Sequence, residues 1–325
     1  MLARTNEEVL QLQCLLAREG VRTRLIQNIK DFSLYNLAEV RYFLQQLRKD
    51  RTAPQVTEEE WKKARGKLRS RYNASSILPL CEGILDAFRS ANPDVIYFSD
   101  LEEFIRESKE EDFIKAESGT VFLSTIHKAK GREFDAVHIL LKDNGRELTA
   151  EELRVIYVGF TRAKDSLYVH YNGTLLDQFK DEGMLTFKED SAVYSEPSEL
   201  LMQLGYQDVY LDFFKGKKNL ILSRLMSGME LRARGYSLLT PPGMRDEEVV
   251  RYSNKFKDRL RRCFRKGYRI TAASVTYIAA WKGKDDEEET AVILPCLKLE
   301  RVFPGQKYFT TYSASNLASG GKSGQ

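Results

Sequence analysis

One segment constrains this chain more than any other: Ser124-Thr125-Ile126-His127-Lys128-Ala129-Lys130-Gly131-Arg132-Glu133-Phe134-Asp135. Thr120 to Thr125 before it and Ala136 to Leu141 after it are rich in β-branched and apolar residues, so it reads as a polar loop between two strands. Open α/β sheets bind ligands in loops at the carboxyl ends of their strands. Gly131 lets the backbone come close to a phosphate or sugar, and the Glu133 carboxylate can accept two ribose hydroxyls. Further on, Thr149-x-x-Glu152 has the form of a capping box, opening a helix with Leu153, Ile156, Tyr157 and Phe160 on one face. That helix runs into Thr161-Arg162-Ala163-Lys164, and a strand follows from Leu167 to Tyr171. An arginine at 162 projects from the sheet edge toward a neighbouring domain, where a guanidinium can neutralise charge on a transferred phosphoryl group.

The same alternation opens the chain. Thr5-x-x-Glu8 predicts a helix start, Val9, Leu12 and Leu16 share one face, Gly20 ends it, and Val21 to Ile26 reads as a strand. Residues 31–116 interrupt the pattern with helices near Leu34 to Lys49, after Thr57-x-x-Glu60, over Ile77 to Ser90 and after Ser99-x-x-Glu102. Beyond residue 174, Thr271 to Trp281 and Thr290 to Leu299 predict two strands around an acidic turn. A basic helix is expected between Asp246 and Gly267, with Val249, Phe256, Leu260 and Cys263 on its inner face. The expected organisation is an α/β domain from residues 1–30 and 117–173, a helical insertion at 31–116, and a β-rich accessory domain at 174–325. The last ends in a Ser/Gly-rich tail expected to be disordered.

Composition narrows the function classes. The 325 residues suit two or three domains, and 42% hydrophobic content allows real cores. The four cysteines lie far apart with no C-x-x-C pair, which speaks against structural zinc and a disulfide framework, and no metal ligand set is expected. No apolar run approaches the length of a membrane span, and Arg4, Glu7 and Glu8 break any secretory core, so a cytoplasmic location is expected. Net charge is a mild +4. Much of it gathers between Lys255 and Lys266, where Lys255, Lys257, Arg261, Arg262 and Arg265 are candidate DNA-phosphate contacts; a solvated helix face is the equal alternative.

Taken in order, the two segments resemble motifs V and VI of superfamily 1 helicases of the UvrD/Rep/PcrA kind, T-x-H-x-x-K-G-x-E-F and then Y-V-x-x-T-R-A. Every fixed position is present: Thr125, His127, Lys130, Gly131, Glu133 and Phe134, then Tyr157, Val158, Thr161, Arg162 and Ala163. Leu2-Ala3-Arg4-Thr5-Asn6 is similar to motif IV with its R-T-N core. The resemblance implies a RecA-like parallel sheet. It implies that Arg4 and Arg162 reach the γ-phosphate of ATP, that Glu133 bonds the ribose beside Gly131, and that Thr125 and His127 lie toward single-stranded DNA. Arg132 departs from the family, which usually has Leu there.

No G-x-x-x-x-G-K-[ST] loop occurs; Gly320-Gly321-Lys322-Ser323 lacks the leading glycine, since Asn316 stands there. The abrupt start at Met1-Leu2-Ala3 reads as a cut end. The expectation is half an ATP site, with the phosphate loop and the Mg²⁺ ligands on an N-terminal RecA-like domain of the same parent. The implied activity is ATP-dependent translocation on single-stranded DNA and unwinding of duplex, 3′→5′, in a nucleoid-associated protein. The rivals are a non-enzymatic RecA-like scaffold and a helicase–nuclease. The latter needs clustered carboxylates, and Asp208, Asp212 and Lys215 lack the required spacing.

Overall fold

A computed structural model describes residues 1–25, 32–48, 54–113, 119–142, 148–173, 176, 185–187, 197–284 and 286–302. The first elements are β1 (Leu2–Ala3), α1 (Asn6–Arg18), β2 (Thr23–Leu25), α2 (Ala38–Arg48), β3 (Gln55–Val56), α3 (Glu58–Arg71), α4 (Leu78–Ala91), β4 (Ile96–Tyr97) and α5 (Phe98–Glu107). Next come β5 (Val121–Thr125), β6 (Phe134–Leu141), α6 (Ala150–Phe160), β7 (Ala163–Tyr171), β8 (Glu199–Gln203), α7 (Lys218–Arg224) and β9 (Glu230–Arg234). The last are β10 (Ser237–Leu239), β11 (Glu248–Arg251), α8 (Asn254–Arg265), β12 (Tyr268–Trp281) and β13 (Thr290–Arg301). They form two compact units, Met1–Asn28 with Ala116–Leu200, and Ile29–Lys115 with Leu201–Gln325.

The first unit is an α/β, RecA-like parallel sheet in the order β2-β5-β1-β6-β7. Parallel neighbours need crossovers, and α1 and α6 supply two of them. Side chains alternate across a strand, so each helix takes one face. Leu2, Val137, Ile139 and Leu141 pack with Ile156 of α6, while Ala3 and Leu123 pack with Val9 and Leu12 of α1. Both capping boxes form as expected: Thr5 Oγ1 accepts from Glu8 N at 3.2 Å, and Thr149 Oγ1 accepts from Glu152 N at 3.2 Å. The expected apolar face of α6 does not: Ile156 is buried, but Leu153 is 42% and Tyr157 68% exposed. The cause is Gly159. A Cβ there would lie 3.0 Å from Ile139 Cδ1, so the Ile156–Gly159 stripe meets the sheet and the other two side chains turn outward. Strand β2 stops at Leu25, and Ile26 lies outside the described residues.

The second unit joins α2 to α5 to a curled six-stranded antiparallel sheet, β11-β10-β9-β12-β13-β8, with β3 and β4 as a separate pair. The sequence separates residues 31–116 from residues 174–325; the structure groups the helices with the sheet. Long-range contacts explain why. Leu37 bridges to Ala279, Arg41 pairs with Glu289, and Tyr277 donates to Glu110 at 2.6 Å. At the centre of the helical part Trp61 stacks on Phe88 and meets Phe43 edge to face. Helix α3 starts at Thr57 with its capping box. Helix α5 starts two residues earlier than the Ser99-x-x-Glu102 pattern predicts, and Ser99 Oγ donates to Asp100 inside the first turn.

The basic helix is also shorter than expected. Ser253 caps it, accepting from Phe256 N at 3.2 Å, and the β-branched pair Val249-Val250 belongs to β11. Val249 is therefore buried in a strand, not on the helix. The hairpin β12–β13 matches the two predicted strands. Leu317 to Gln325, including the glycine-rich decoy, lie outside the described residues. Among the described residues no helix is long and apolar enough to cross a membrane.

Candidate functional site

The motif residues sit on loops between parallel strands, and strand register fixes their levels. Leu2, Ser124 and Ile139 are in register, so β1 and β5 end near the carboxyl end of β6. Phe134, the first residue of β6, lies five positions below Ile139, roughly 16 Å at a parallel strand's rise of ~3.3 Å. The loop 126–133 thus runs from the carboxyl end of β5 down to the amino end of β6. Helix α6 runs the same way, and β7 starts beside Phe134. The site residues therefore form two groups, one at each end of the sheet.

The upper group holds Arg4, Thr125 and His127. Ile126 N donates to Ala3 O at 3.0 Å, tying the loop to the residue before Arg4. Thr125 is buried, and its carbonyl accepts from Lys128 N at 3.0 Å and Ala129 N at 3.1 Å, closing the turn that carries His127 outward. His127 is exposed. Lys128 beside it is half-buried, and burial lowers its ammonium from the ordinary lysine value. Arg4 is ion-paired with Glu152. The other Glu152 oxygen accepts from Thr149 N at 2.9 Å and Thr149 Oγ1 at 3.0 Å. One carboxylate thus caps α6 and holds Arg4.

The lower group holds Gly131, Glu133 and Arg162. Arg162 Nε donates to Val158 O at 2.9 Å, Nη1 to Arg132 O at 3.1 Å and Nη2 to Thr161 Oγ1 at 3.0 Å. Phe134 N donates back to Arg162 O at 2.9 Å. A cation over the last turn of a helix is favourable, because the unpaired carbonyls there carry partial negative charge. The bond to Arg132 O puts the guanidinium one residue from both Gly131 and Glu133. Gly131 has φ +84°, a conformation that favours glycine, and a Cβ there would meet nothing within 4 Å. Glu133 is exposed, and no ion pair with Lys130 or any other partner is found for it among the described residues. Open space over a glycine, an exposed carboxylate and an anchored guanidinium fit the ribose and phosphate of a nucleotide.

The structure does not bring Arg4 and Arg162 together. Their anchor acceptors, Glu152 and Val158, are six residues apart on α6, roughly 9 Å along its axis. Residues 91–174, spanning α5 to β7, match the family described as the UvrD-like helicase C-terminal domain. This stretch, about a quarter of the chain, is similar to that family. Curated relatives agree with this. DNA helicase II of Rickettsia typhi is 35% identical over 88 residues, 22% of this chain and 13% of that protein. The ATP-dependent DNA helicase Rep of Buchnera aphidicola subsp. Schizaphis graminum is 30% identical over 116 residues, 31% of this chain and 16% of that protein. The matched stretches are thus a small part of those relatives' length.

In the matched stretch the residue missed by sequence reasoning is Glu152. It is visible in the Thr149-x-x-Glu152 box, but a capping carboxylate has a second oxygen, and its use by Arg4 depends on a contact 148 positions away. The nuclease residues do not form a site. Asp208 Oδ2 accepts from Gly205 N at 2.9 Å, and Lys215 pairs with Asp212 and Asp286 at 2.8 and 2.9 Å. Among the described residues no three His, Cys, Asp or Glu side chains are grouped to hold a metal.

Proposed function

We propose that this chain is the second motor half of an ATP-dependent DNA helicase. Its Arg162, Gly131 and Glu133 contact an ATP whose phosphates and Mg²⁺ are held mainly by an N-terminal RecA-like domain of the same protein. The observation that carries this reading is the bond from Arg162 to the Arg132 carbonyl, which fixes the guanidinium next to the two candidate ribose-side residues. Arg4 joins the nucleotide only when its ion pair with Glu152 opens. His127 faces the DNA strand, Thr125 acts through the turn that aims it, and cations of α8 add phosphate contacts. The motor moves 3′→5′ on single-stranded DNA, a direction that rests on the resemblance to the UvrD/Rep kind, and it works as a nucleoid-associated cytoplasmic protein. Intact Arg162 and Glu133 favour turnover over a decayed scaffold.

ATP turnover by the helicase assembled from this chain and its phosphate-binding domain tests this reading. Arg162→Ala should lower turnover by about 10³ or more, as for an arginine finger in cis, while DNA affinity survives. Arg162→Lys keeps the charge but loses the forked bonds and should fall between. Near-normal turnover in the alanine variant would refute the role.

A further inference from the structure

Helix α8 holds six of the chain's 51 Lys and Arg residues and one of its 47 Asp and Glu residues. That leaves 45 cations against 46 anions elsewhere, so the positive excess of the whole molecule is this one helix. Buried Phe256 and Leu260 fix which side faces inward. At 3.6 residues per turn, Lys255, Arg259 and Arg262 fall within about 60° of one another on the flank beside Phe256, with Lys255 and Arg262 exposed and Arg259 half-buried. Arg265 lies beside them. The other two cations are placed differently. Lys257 lies on the opposite flank with its Nζ 3.3 Å from Asn254 Oδ1. Arg261 bonds Asp258 at 2.6 Å and lies over the Tyr236 ring at 5.5 Å.

We infer that Lys255, Arg259 and Arg262, flanked by Arg265, form a phosphate ladder by which the second unit grips DNA independently of the nucleotide site. The stripe runs over eight residues, roughly 10 Å of helix, and a row of like charges is matched by a row of anions, which a nucleic acid backbone supplies. Asp208 stands against Lys255 and Arg259 at the amino end, but its Oδ2 is already taken by Gly205 N. Arg262 and Arg265 have no carboxylate partner among the described residues. The ladder drops Lys257 and Arg261 from the contacts expected from sequence and adds Arg259. It rests on the DNA-binding reading proposed above.

The test is anisotropy of a short fluorescein-labelled single strand titrated with the 325-residue chain over a range of salt. Three forms are compared: the unaltered chain, the triple variant K255Q/R259Q/R262Q, and Asp258→Asn. The slope of log affinity against log salt should fall by about 2 in the triple variant, about 0.7 for each phosphate left unneutralised on a single strand. Asp258→Asn should bind more tightly than the unaltered chain, a gain that misfolding cannot produce. DNA binding with an unchanged slope in the triple variant overturns the ladder and leaves the DNA reading standing. An unaltered chain that binds phosphatidylserine vesicles but no DNA overturns both.

Discussion

The two units use their sequences differently. In the parallel-sheet unit the candidate site residues lie on loops and are held largely by nearby backbone: Arg162 by the Val158 carbonyl four residues back and by the Arg132 carbonyl of the facing loop, His127 by the turn on Thr125. In the second unit the chemistry is inside. Phe43, Trp61 and Phe88 fill the helical core, and Glu39 is fully buried with Ser75 and Ser227 hydroxyls on its Oε1 at 2.6 and 3.1 Å. Local contacts can be moved by a ligand without disturbing a core. Contacts that cross-link distant segments, as Glu39 does with Ser227 188 positions on, make a rigid body.

The largest effect separating the two belongs to the aromatic core. Phe43→Ala should destabilise the second unit by about 3–5 kcal/mol, the usual range for emptying a buried phenylalanine site. Both tryptophans, Trp61 and Trp281, lie in that unit, so intrinsic fluorescence reports it directly. Hydrogen exchange in β5 and β6 should stay unchanged. Equal loss of protection in both units would break the comparison. A smaller effect comes from Glu39. Burial raises its carboxyl above the usual value, although the two serine hydroxyls pull it down. Nearby Tyr72 is pushed up to about 12, first by burial and then by Glu39. The fold thus favours the neutral acid. Its contribution is full below the unfolded carboxyl value of about 4.3 and is lost as pH rises through the raised folded value. Glu39→Gln should remove that decline, seen as a flatter dependence of urea midpoint on pH. A variant with the same decline as the unaltered chain would place the titration elsewhere.

Much of the first unit is legible in the sequence because its signals are local. The capping boxes at Thr5 and Thr149, the strands around 121–125 and 134–141, and the motif residues can all be read within a dozen positions. What sequence does not supply is level. Arg4 and Arg162 read as partners on one phosphate, yet register sets them at opposite ends of α6. For the same reason nothing in the sequence pairs His138 with His170, whose ring nitrogens lie 3.0 Å apart across β6 and β7. In the second unit the period of 31–116 gives the helices but not their destination, since Leu37 meets Ala279 and Arg41 meets Glu289 only after the chain returns. The basic helix reads too long because Val249 fits a helical stripe as readily as a strand, and only the Ser253 cap decides.

The measurement that bears most directly on the half-site reading is ATP hydrolysis by the 325-residue chain on its own, with and without single-stranded DNA, beside Arg162→Ala. No turnover above background is expected under either condition, because on the proposed reading Arg162, Gly131 and Glu133 supply only one side of the nucleotide, and the sequence contains no G-x-x-x-x-G-K-[ST] loop. Turnover that rises with DNA and disappears in Arg162→Ala would contradict this and place a complete ATP site within the chain.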